Sequence, residues 1–138
     1  MNIQTLIKVL VIGVTLMQSC LSNAGEMYYY CQIVGQSKVA DSGVIEPRKT
    51  YYVSYQQHLS KFVVNRETGA IVGSVFHNSN AERVEVLDAG SKAQAYKVMS
   101  VFGPHASVDY LQINVFKQEA KKPFSGMSQG KFYSGLCE

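Results

Sequence analysis

Three histidines are the side chains best suited to bind a metal ion or to move a proton near neutral pH, namely His58, His77 and His105. They are 19 and 28 residues apart. Metal sites usually place at least two of their ligands close together on one element. We therefore interpret these residues as loop or strand-end histidines, and the sequence predicts no metal site and no bound cofactor.

The acidic residues and the serines offer no clear catalytic pattern either. Glu82 and Glu85 are three residues apart, so on a strand their side chains would point to opposite faces. We interpret Asp88 and Asp109 as turn or strand-end residues. No phosphate-binding loop precedes a predicted helix, and no serine is predicted at a nucleophile elbow between a strand and a helix. An enzyme would have to assemble its site from residues far apart in the sequence, and we expect no enzymatic activity.

The first 24 residues have the pattern of a secretory signal peptide. Lys8 precedes a mostly apolar run over residues 9–17, and the small residues Ser22 and Ala24 mark a cleavage site. The run is much shorter than the ~20 apolar residues that a helix needs to cross a bilayer, so we expect no transmembrane segment. Residues 1–24 are predicted to be a signal peptide and residues 25–138 one periplasmic or secreted domain. The alternative is a lipoprotein anchored through Cys20.

Cys20 is either removed with the leader or acylated as the lipid anchor. In both cases two cysteines remain in the predicted domain. Cys31 and Cys137 lie at opposite ends of the predicted domain, and disulfides persist in an oxidising compartment. The two residues lack the close Cys-x-x-Cys spacing of a redox-active pair. We predict a structural disulfide between them, which would stabilise the fold by roughly 4–5 kcal/mol through restriction of the unfolded chain.

The charge of the predicted mature domain is small. Lys8 is lost with the leader, which leaves 12 basic and 10 acidic residues, or a net charge of +2. Nucleic-acid-binding domains usually carry a marked basic patch or stripe. The sequence therefore predicts no nucleic-acid partner.

Tyrosine is concentrated near the beginning of the predicted domain. Six of the nine tyrosines fall in two short segments, residues 28–30 and 51–55. If these segments are neighbouring strands, their tyrosines must populate both faces of the sheet. We take four of them as candidate binding residues, because an exposed tyrosine row suits contact with protein, peptide or sugar. These four are Tyr28, Tyr30, Tyr52 and Tyr55. The alternative is cross-strand aromatic packing that stabilises the sheet.

The clearest local element is a β-hairpin. Residues 62–65 and 70–76 are rich in β-branched and aromatic residues, and a polar turn that ends in Gly69 separates them. Gly69 is expected in the left-handed conformation. Gly73 indicates a bulge or a close approach by another backbone.

Further short strands are predicted along the chain, over residues 27–34, 49–55, 83–87, 93–102, 109–115 and 131–137. Residues 35–50 are predicted to form a loop with at most one short strand. The fold class is therefore all-β, an antiparallel meander of seven or eight strands. We expect a barrel-like sheet, because pairing of the first and last strands would remove exposed edges. The alternatives are a sandwich, or an α+β fold if residues 93–102 are helical.

Several of these segments resemble a family of small secreted bacterial proteins without an assigned activity. The similar segments are Phe62–Gly73, Leu87–Ser91, Lys122–Phe124 and Ser134–Glu138. The resemblance implies a bacterial protein of the periplasm or the exterior. It carries no catalytic residue to this chain.

The predicted function is a non-catalytic protein-binding module of the inhibitor or immunity type. The secretion signal, the disulfide and the tyrosine-rich segments favour this interpretation, with another envelope or secreted protein as the partner. The alternative is a β-barrel carrier of a small ligand, if the interior holds a cavity.

Overall fold

The computed structural model describes residues 27–48, 57–104 and 107–138. The predicted leader, residues 1–24, and the predicted strand over residues 49–55 lie outside these residues. The all-β prediction is confirmed, and the nine strands of the described residues are β1 (Tyr28–Val39), β2 (Ile45–Arg48), β3 (Lys61–Asn65), β4 (Ile71–Gly73), β5 (Arg83–Ala89), β6 (Tyr96–Phe102), β7 (Ser107–Ile113), β8 (Lys122–Ser128) and β9 (Lys131–Cys137).

All nine strands belong to one antiparallel sheet that curls into a half-barrel. The order is β4-β3-β1-β9-β8-β7-β6-β5, and β2 pairs with β1. The chain from β5 to β9 is the predicted meander. The segment that could have been helical is strand β6, so the α+β alternative is wrong. In the described part of the chain, no helix is long and apolar enough to cross a bilayer.

The predicted disulfide joins the first and last strands. Cys31 and Cys137 are register partners of β1 and β9, with their Cα atoms 4.0 Å apart. Within the described residues, this pairing does not remove the sheet edges as expected. Strand β1 also pairs with β3 on its other side, so β1 lies inside the sheet and the terminal strands are β4 and β5.

A buried asparagine links the terminal strand β4 to β6. The side chain of Asn78 donates hydrogen bonds to the carbonyl of Gly69 and to Ser100 Oγ, both at 2.9 Å. The N–H of Ile71 donates to Asn78 Oδ1 at 2.7 Å, and the N–H of Asn78 donates to the Ile71 carbonyl at 3.1 Å. Asn78 thereby provides hydrogen-bond partners for the backbone of Ile71 at the free edge of β4. It also links β4 to β6, although these two described strands do not pair with each other.

The predicted hairpin is confirmed as β3 and β4. Gly69 has a φ of +73°, as the turn requires. A Cβ on Gly73 would lie 2.4 Å from the Cβ of Phe62, so this glycine permits the predicted close approach. The second strand ends at Gly73, before the predicted end at Phe76.

Some boundaries differ from the predicted ones. Strand β1 continues to Val39 through a bulge at Val34, where a loop was expected from Gly35. Strand β8 was not predicted, because it contains Lys122, Pro123 and Gly126, which are residue types depleted in strands. It pairs with β9 through a two-residue turn, Gln129-Gly130, in which both residues have positive φ.

Aromatic side chains fill one half of the interior of the half-barrel. Phe62, Phe76 and Phe124 contact one another with ring centroids 5.0–6.4 Å apart, and Tyr133 packs on Phe76 at 5.3 Å. All four are at least nine-tenths buried. Such contacts add about 0.5–1.5 kcal/mol per pair to the free energy of burial. This half of the interior is therefore a packed core.

Candidate functional site

The predicted binding tyrosines of strand β1 lie on the outer face of the sheet. Tyr28 is 39% exposed and Tyr30 is 56% exposed, whereas Tyr29 between them is only 8% exposed. Successive side chains of a strand point to opposite faces, which separates the three residues in this way. Tyr52 and Tyr55 lie outside the described residues.

Tyr29, whose side chain points inward, has a packing role. Aromatic packing was the alternative interpretation of the tyrosines as a group. The ring of Tyr29 packs edge-on against Tyr96 at 5.3 Å, and the guanidinium of Arg66 lies 4.8 Å from its centroid. Burial raises the pKa of Tyr29, and the nearby Arg66 partly lowers it. Burial, together with Tyr29, raises the pKa of Tyr96 to about 12. Both phenols are therefore neutral at physiological pH, and their rings pack in the interior.

The outward residues form an exposed apolar surface, which we call the tyrosine face. Tyr30, Val63 and Val72 are register partners across β1, β3 and β4. Val72 is 64% exposed, and the bulge residue Val34 and Leu136 of β9 are also exposed beside this row. Monomeric soluble proteins rarely expose contiguous apolar patches of large area. The row is thus a candidate contact surface.

Two charged residues, Lys61 and Glu138, lie beside the tyrosine face and differ in their ion pairing. Lys61 lies on the same face of β3 as Val63, opposite Gln32, and has no ion pair within the described residues. Glu138 lies opposite Tyr30, but its carboxylate already pairs with Lys121 at 3.6 Å. A groove of about 330 Å³ runs along this surface, lined by Tyr30, Cys31, Gln32, Lys61, Phe62, Val63 and Glu138. Lys61 therefore contributes a positive charge at the groove.

The disulfide lies directly behind the tyrosine face. Tyr30 and Glu138 exchange two backbone hydrogen bonds of 2.8 and 2.9 Å, and the next pair is Cys31 and Cys137. Both cysteines are buried on the inner side. The covalent link and the two hydrogen bonds hold this end of β1 against β9, so the exposed side chains project from a rigid support.

A second candidate site, which we call the polar pocket, opens at one end of the half-barrel. Along β7 the inward residues change from Leu111 and Ile113 to Asp109 and Ser107, and along β8 they change from Phe124 to Ser128. The pocket has a volume of about 320 Å³ and is lined by Ser74, Val75, His77, Asn80, Phe102, Ser107, Asp109, Ser128 and Gln129. The interior is thus apolar in one half and polar in the other.

Asp109 is the central charged group of the polar pocket. Ser128 Oγ donates a hydrogen bond to Asp109 Oδ2 at 2.7 Å, and the N–H of Gln129 donates to Oδ1 at 3.4 Å. Burial raises the pKa of Asp109, and these two hydrogen bonds partly offset the increase. The interpretation of Asp109 as a turn or strand-end residue is wrong, because it is the third of seven residues of β7. Asp88 does act as a turn residue, because its Oδ1 accepts a hydrogen bond of 2.9 Å from the N–H of Gly90.

The histidines are distributed over the molecule. His77 lies at the polar pocket, where its Nε2 is 2.6 Å from Ser79 Oγ, and His58 is exposed near the start of β3. His105 lies outside the described residues. In residues 27–48, 57–104 and 107–138, no three histidine, cysteine or acidic side chains group in a way that could hold a metal ion.

One signal in the sequence pointed to the polar pocket and was missed. Gly126-Met127-Ser128-Gln129-Gly130 has the Gly-x-Ser-x-Gly spacing of a nucleophile elbow. In the structure this segment leads into a β-hairpin turn. Ser128 is 2% exposed, and its hydroxyl donates a hydrogen bond to the carboxylate of Asp109. A serine nucleophile needs access to substrate and an adjacent general base, most often a histidine. The motif therefore marks a hydrogen-bonding site and not an elbow.

Comparison of the chain with protein-family models, with curated proteins and with solved structures gives no match. The resemblance to small secreted bacterial proteins stays a prediction. The tyrosine face and the polar pocket are therefore the features from which a function can be inferred.

Proposed function

We propose that this protein is a non-catalytic protein-binding module of the inhibitor or immunity type, which contacts another envelope or secreted protein through the tyrosine face. The observation that carries the proposal is the row of Tyr30, Val63 and Val72 across three paired strands, in which Tyr30 and Val72 are exposed and Val63 is half-buried. Tyrosine is enriched at binding hot spots, because its large, stiff ring buries much area at a small entropic cost.

The rigidity of the support favours binding. Strand β1 is held by β3 on one side and by β9 and the disulfide on the other. A partner would not have to order this segment, so less of the interaction free energy would be lost on association.

The charge at the groove indicates the chemistry of the partner. Lys61 is exposed beside Val63 and has no ion pair within the described residues. A partner segment with apolar side chains and an adjacent carboxylate would match both features. Complementary charges at an interface favour the correct partner and accelerate association.

The setting is an oxidising compartment. A disulfide across 106 residues of sequence joins Cys31 to Cys137, and such bonds persist in the periplasm and outside the cell. This supports the predicted signal peptide over residues 1–24, with the lipoprotein anchored through Cys20 as the alternative.

A carrier of a small apolar ligand is less well supported. Phe62, Phe76 and Phe124 pack together in the apolar half of the interior, where such a ligand would have to lie. A hydrolase is also less well supported, because the buried hydroxyl of Ser128 donates to Asp109 and not to a histidine.

The proposal is tested by affinity capture from envelope extract, with the mature protein and its variants as bait. Tyr30→Ser and Val72→Ser remove apolar surface from the tyrosine face. Leu87→Ser is the matched control, because Leu87 is also an exposed apolar residue, at 47%, but lies on β5, at the other end of the sheet. The expected result is one protein that wild type and Leu87→Ser retain and that the two tyrosine-face variants lose by about tenfold or more.

Two outcomes would contradict the proposal. Equal loss from Leu87→Ser and Tyr30→Ser would mean that the contacts are non-specific. Self-association of the wild type that Tyr30→Ser abolishes, measured by sedimentation, would identify a second copy of this chain as the occupant instead of another protein.

A further inference from the structure

The polar pocket has features of a ligand site that the proposed protein contact does not use. We propose that the polar pocket binds a neutral, polyhydroxylated ligand of the size of one sugar ring. The pocket faces the inside of the half-barrel between β6, β7 and β8, whereas the tyrosine face lies on the outside of β1, β3 and β4. The two sites can therefore act independently.

The carboxylate of Asp109 has acceptor capacity left for a ligand. Its Oδ2 accepts one hydrogen bond from Ser128 and its Oδ1 accepts one from Gln129. A carboxylate offers about four acceptor positions. Two neighbouring hydroxyl groups of a sugar could therefore donate to the same carboxylate, and hydrogen bonds to a charged acceptor are stronger than those between neutral groups.

The other walls supply both kinds of contact that a sugar ring needs. The hydroxyls of Ser74 and Ser107 and the amide of Asn80 can donate and accept hydrogen bonds. Phe102 and Val75 provide apolar surface for the C–H groups of the ring. The volume of about 320 Å³ is at the lower end of the range for ligand sites, about 300–1,000 Å³, which fits one ring and not an oligosaccharide.

The charges favour a neutral ligand over an ionic one. Asp109 opposes a bound anion. Lys131, the register partner of Ser128, and Lys38, the register partner of Lys131, do not line the pocket. Both occupy inward strand positions at this end of the barrel, so their positive charges offset the attraction of Asp109 for a cation. A metal ion is disfavoured too, since no group of three suitable ligands is present in the described part of the chain.

The protonation equilibrium of Asp109 is consistent with this role. Burial raises its pKa, so keeping the carboxylate ionised at neutral pH opposes folding. Such groups cluster at functional sites, where the charge serves a ligand and not the fold.

The test is a titration of the isotope-labelled mature protein followed by amide chemical shifts. The probes are D-glucose, D-galactose, D-mannose and N-acetyl-D-glucosamine, with methylammonium as the cationic comparison. We expect saturable shifts of the His77, Ser128 and Gln129 amides with at least one sugar, at a dissociation constant on the order of 1 mM. Asp109→Asn should weaken this binding about tenfold or more, because Asn is a neutral acceptor.

The controls separate a binding role from a structural one. Asp41→Asn removes a carboxylate from the exposed turn between β1 and β2 and should leave the affinity unchanged. Tyr30→Ser should also bind the sugar normally, even if it no longer binds a protein partner. Ser74→Ala, which changes an exposed residue, provides a second pocket variant should Asp109→Asn fail to fold.

Three results would overturn the proposal. The first is the absence of saturable shifts with all four sugars. The second is unchanged affinity of a folded Asp109→Asn protein. The third is saturation of the pocket by methylammonium in place of the sugars, which would assign it to a cationic ligand.

Discussion

The tyrosine face and the polar pocket lie on opposite sides of the same sheet and are built in contrasting ways. On the tyrosine face, Tyr30 and Val72 are exposed and make no side-chain hydrogen bond within the described residues, and the backbone and the disulfide provide the order. In the polar pocket, Asp109 and Ser128 are ordered by their bond to each other. A surface of the first kind gains free energy when a partner removes apolar area from water. A site of the second kind selects a ligand by its hydrogen-bonding groups.

The two regions also depend on different supports. The disulfide between Cys31 and Cys137 lies behind the tyrosine face. The bridge made by Asn78 lies beside the polar pocket, because its neighbour His77 lines the pocket and its partner Ser100 is on β6. Damage to one support should therefore loosen one region more than the other.

The largest effect is expected from loss of the disulfide. Cys31→Ser with Cys137→Ser should lower the free energy of unfolding by roughly 4–5 kcal/mol, because the unfolded chain is no longer restricted. Thermal and denaturant unfolding measure this change. Below the new melting temperature, the amides of Tyr30 and Glu138 should exchange hydrogen faster, while that of Gln129 should not.

The control for this change is reduction of the wild-type protein, which should reproduce the same loss. A loss of stability below about 1 kcal/mol would contradict the structural role of the disulfide, since it would be no larger than that of an ordinary substitution. Loss of partner binding while the reduced protein is still folded would make the disulfide part of the binding site.

A smaller effect is expected at the other support. Asn78→Ala leaves the N–H of Ile71 and the carbonyl of Gly69 without their side-chain partner. Each buried polar group that loses its partner costs about 1–3 kcal/mol, so we expect a total loss of about 3 kcal/mol. Hydrogen exchange should increase at Ile71 and around the polar pocket, and not at Tyr30.

Asn80→Ala is the matched control, because Asn80 is exposed and two residues away. Its effect on stability should stay within about 0.5 kcal/mol. Similar losses for both variants would mean that Asn78 is not a bridge between β4 and β6.

The smallest effect is expected from the charge in the polar pocket. The pKa of Asp109 is raised in the folded protein by burial, so ionisation opposes folding at neutral pH. The unfavourable contribution is present above the folded pKa and is lost as the pH falls below the unfolded value. Asp109→Asn should therefore raise the melting temperature slightly at pH 7, since Asn can still accept the hydrogen bond of Ser128.

Melting curves from neutral to acidic pH test this prediction. The difference between Asp109→Asn and wild type should shrink as Asp109 is protonated. A variant that is less stable than wild type at pH 7 would show that the ionised carboxylate is needed for the fold, and would weaken the contrast between the pocket and the tyrosine face.

Local patterns predicted the elements whose bonds are formed within a short stretch of sequence. The hairpin of β3 and β4 was predictable because the turn at Gly69 and the two apolar runs are adjacent. The closing strand was predicted with its observed bounds, residues 131–137. The disulfide followed from the number of cysteines and the predicted compartment, and did not require the strand order.

The place of each strand in the sheet, in contrast, depends on contacts between distant residues. Strand β1 pairs with β9, as the cysteine pair predicted, and also with β3, which nothing near Tyr28 specifies. The role of Asn78 depends on Ser100, which is 22 residues away, and that of Asp109 depends on Ser128, which is 19 residues away. The start of β7 was predicted two residues late, which hid the inward alternation of Ser107 and Asp109.

The sequence by itself determined the all-β class, the β3–β4 hairpin, the alternation that exposes Tyr28 and Tyr30, and the cysteine pair. Tertiary structure alone decided that the sheet of the described residues ends at β4 and β5, that Asn78 links β4 to β6, and that Asp109 lies in a pocket. The physical reason is that alternation and turn conformation are local properties of the backbone. Strand order, closure and burial depend on which distant strands meet.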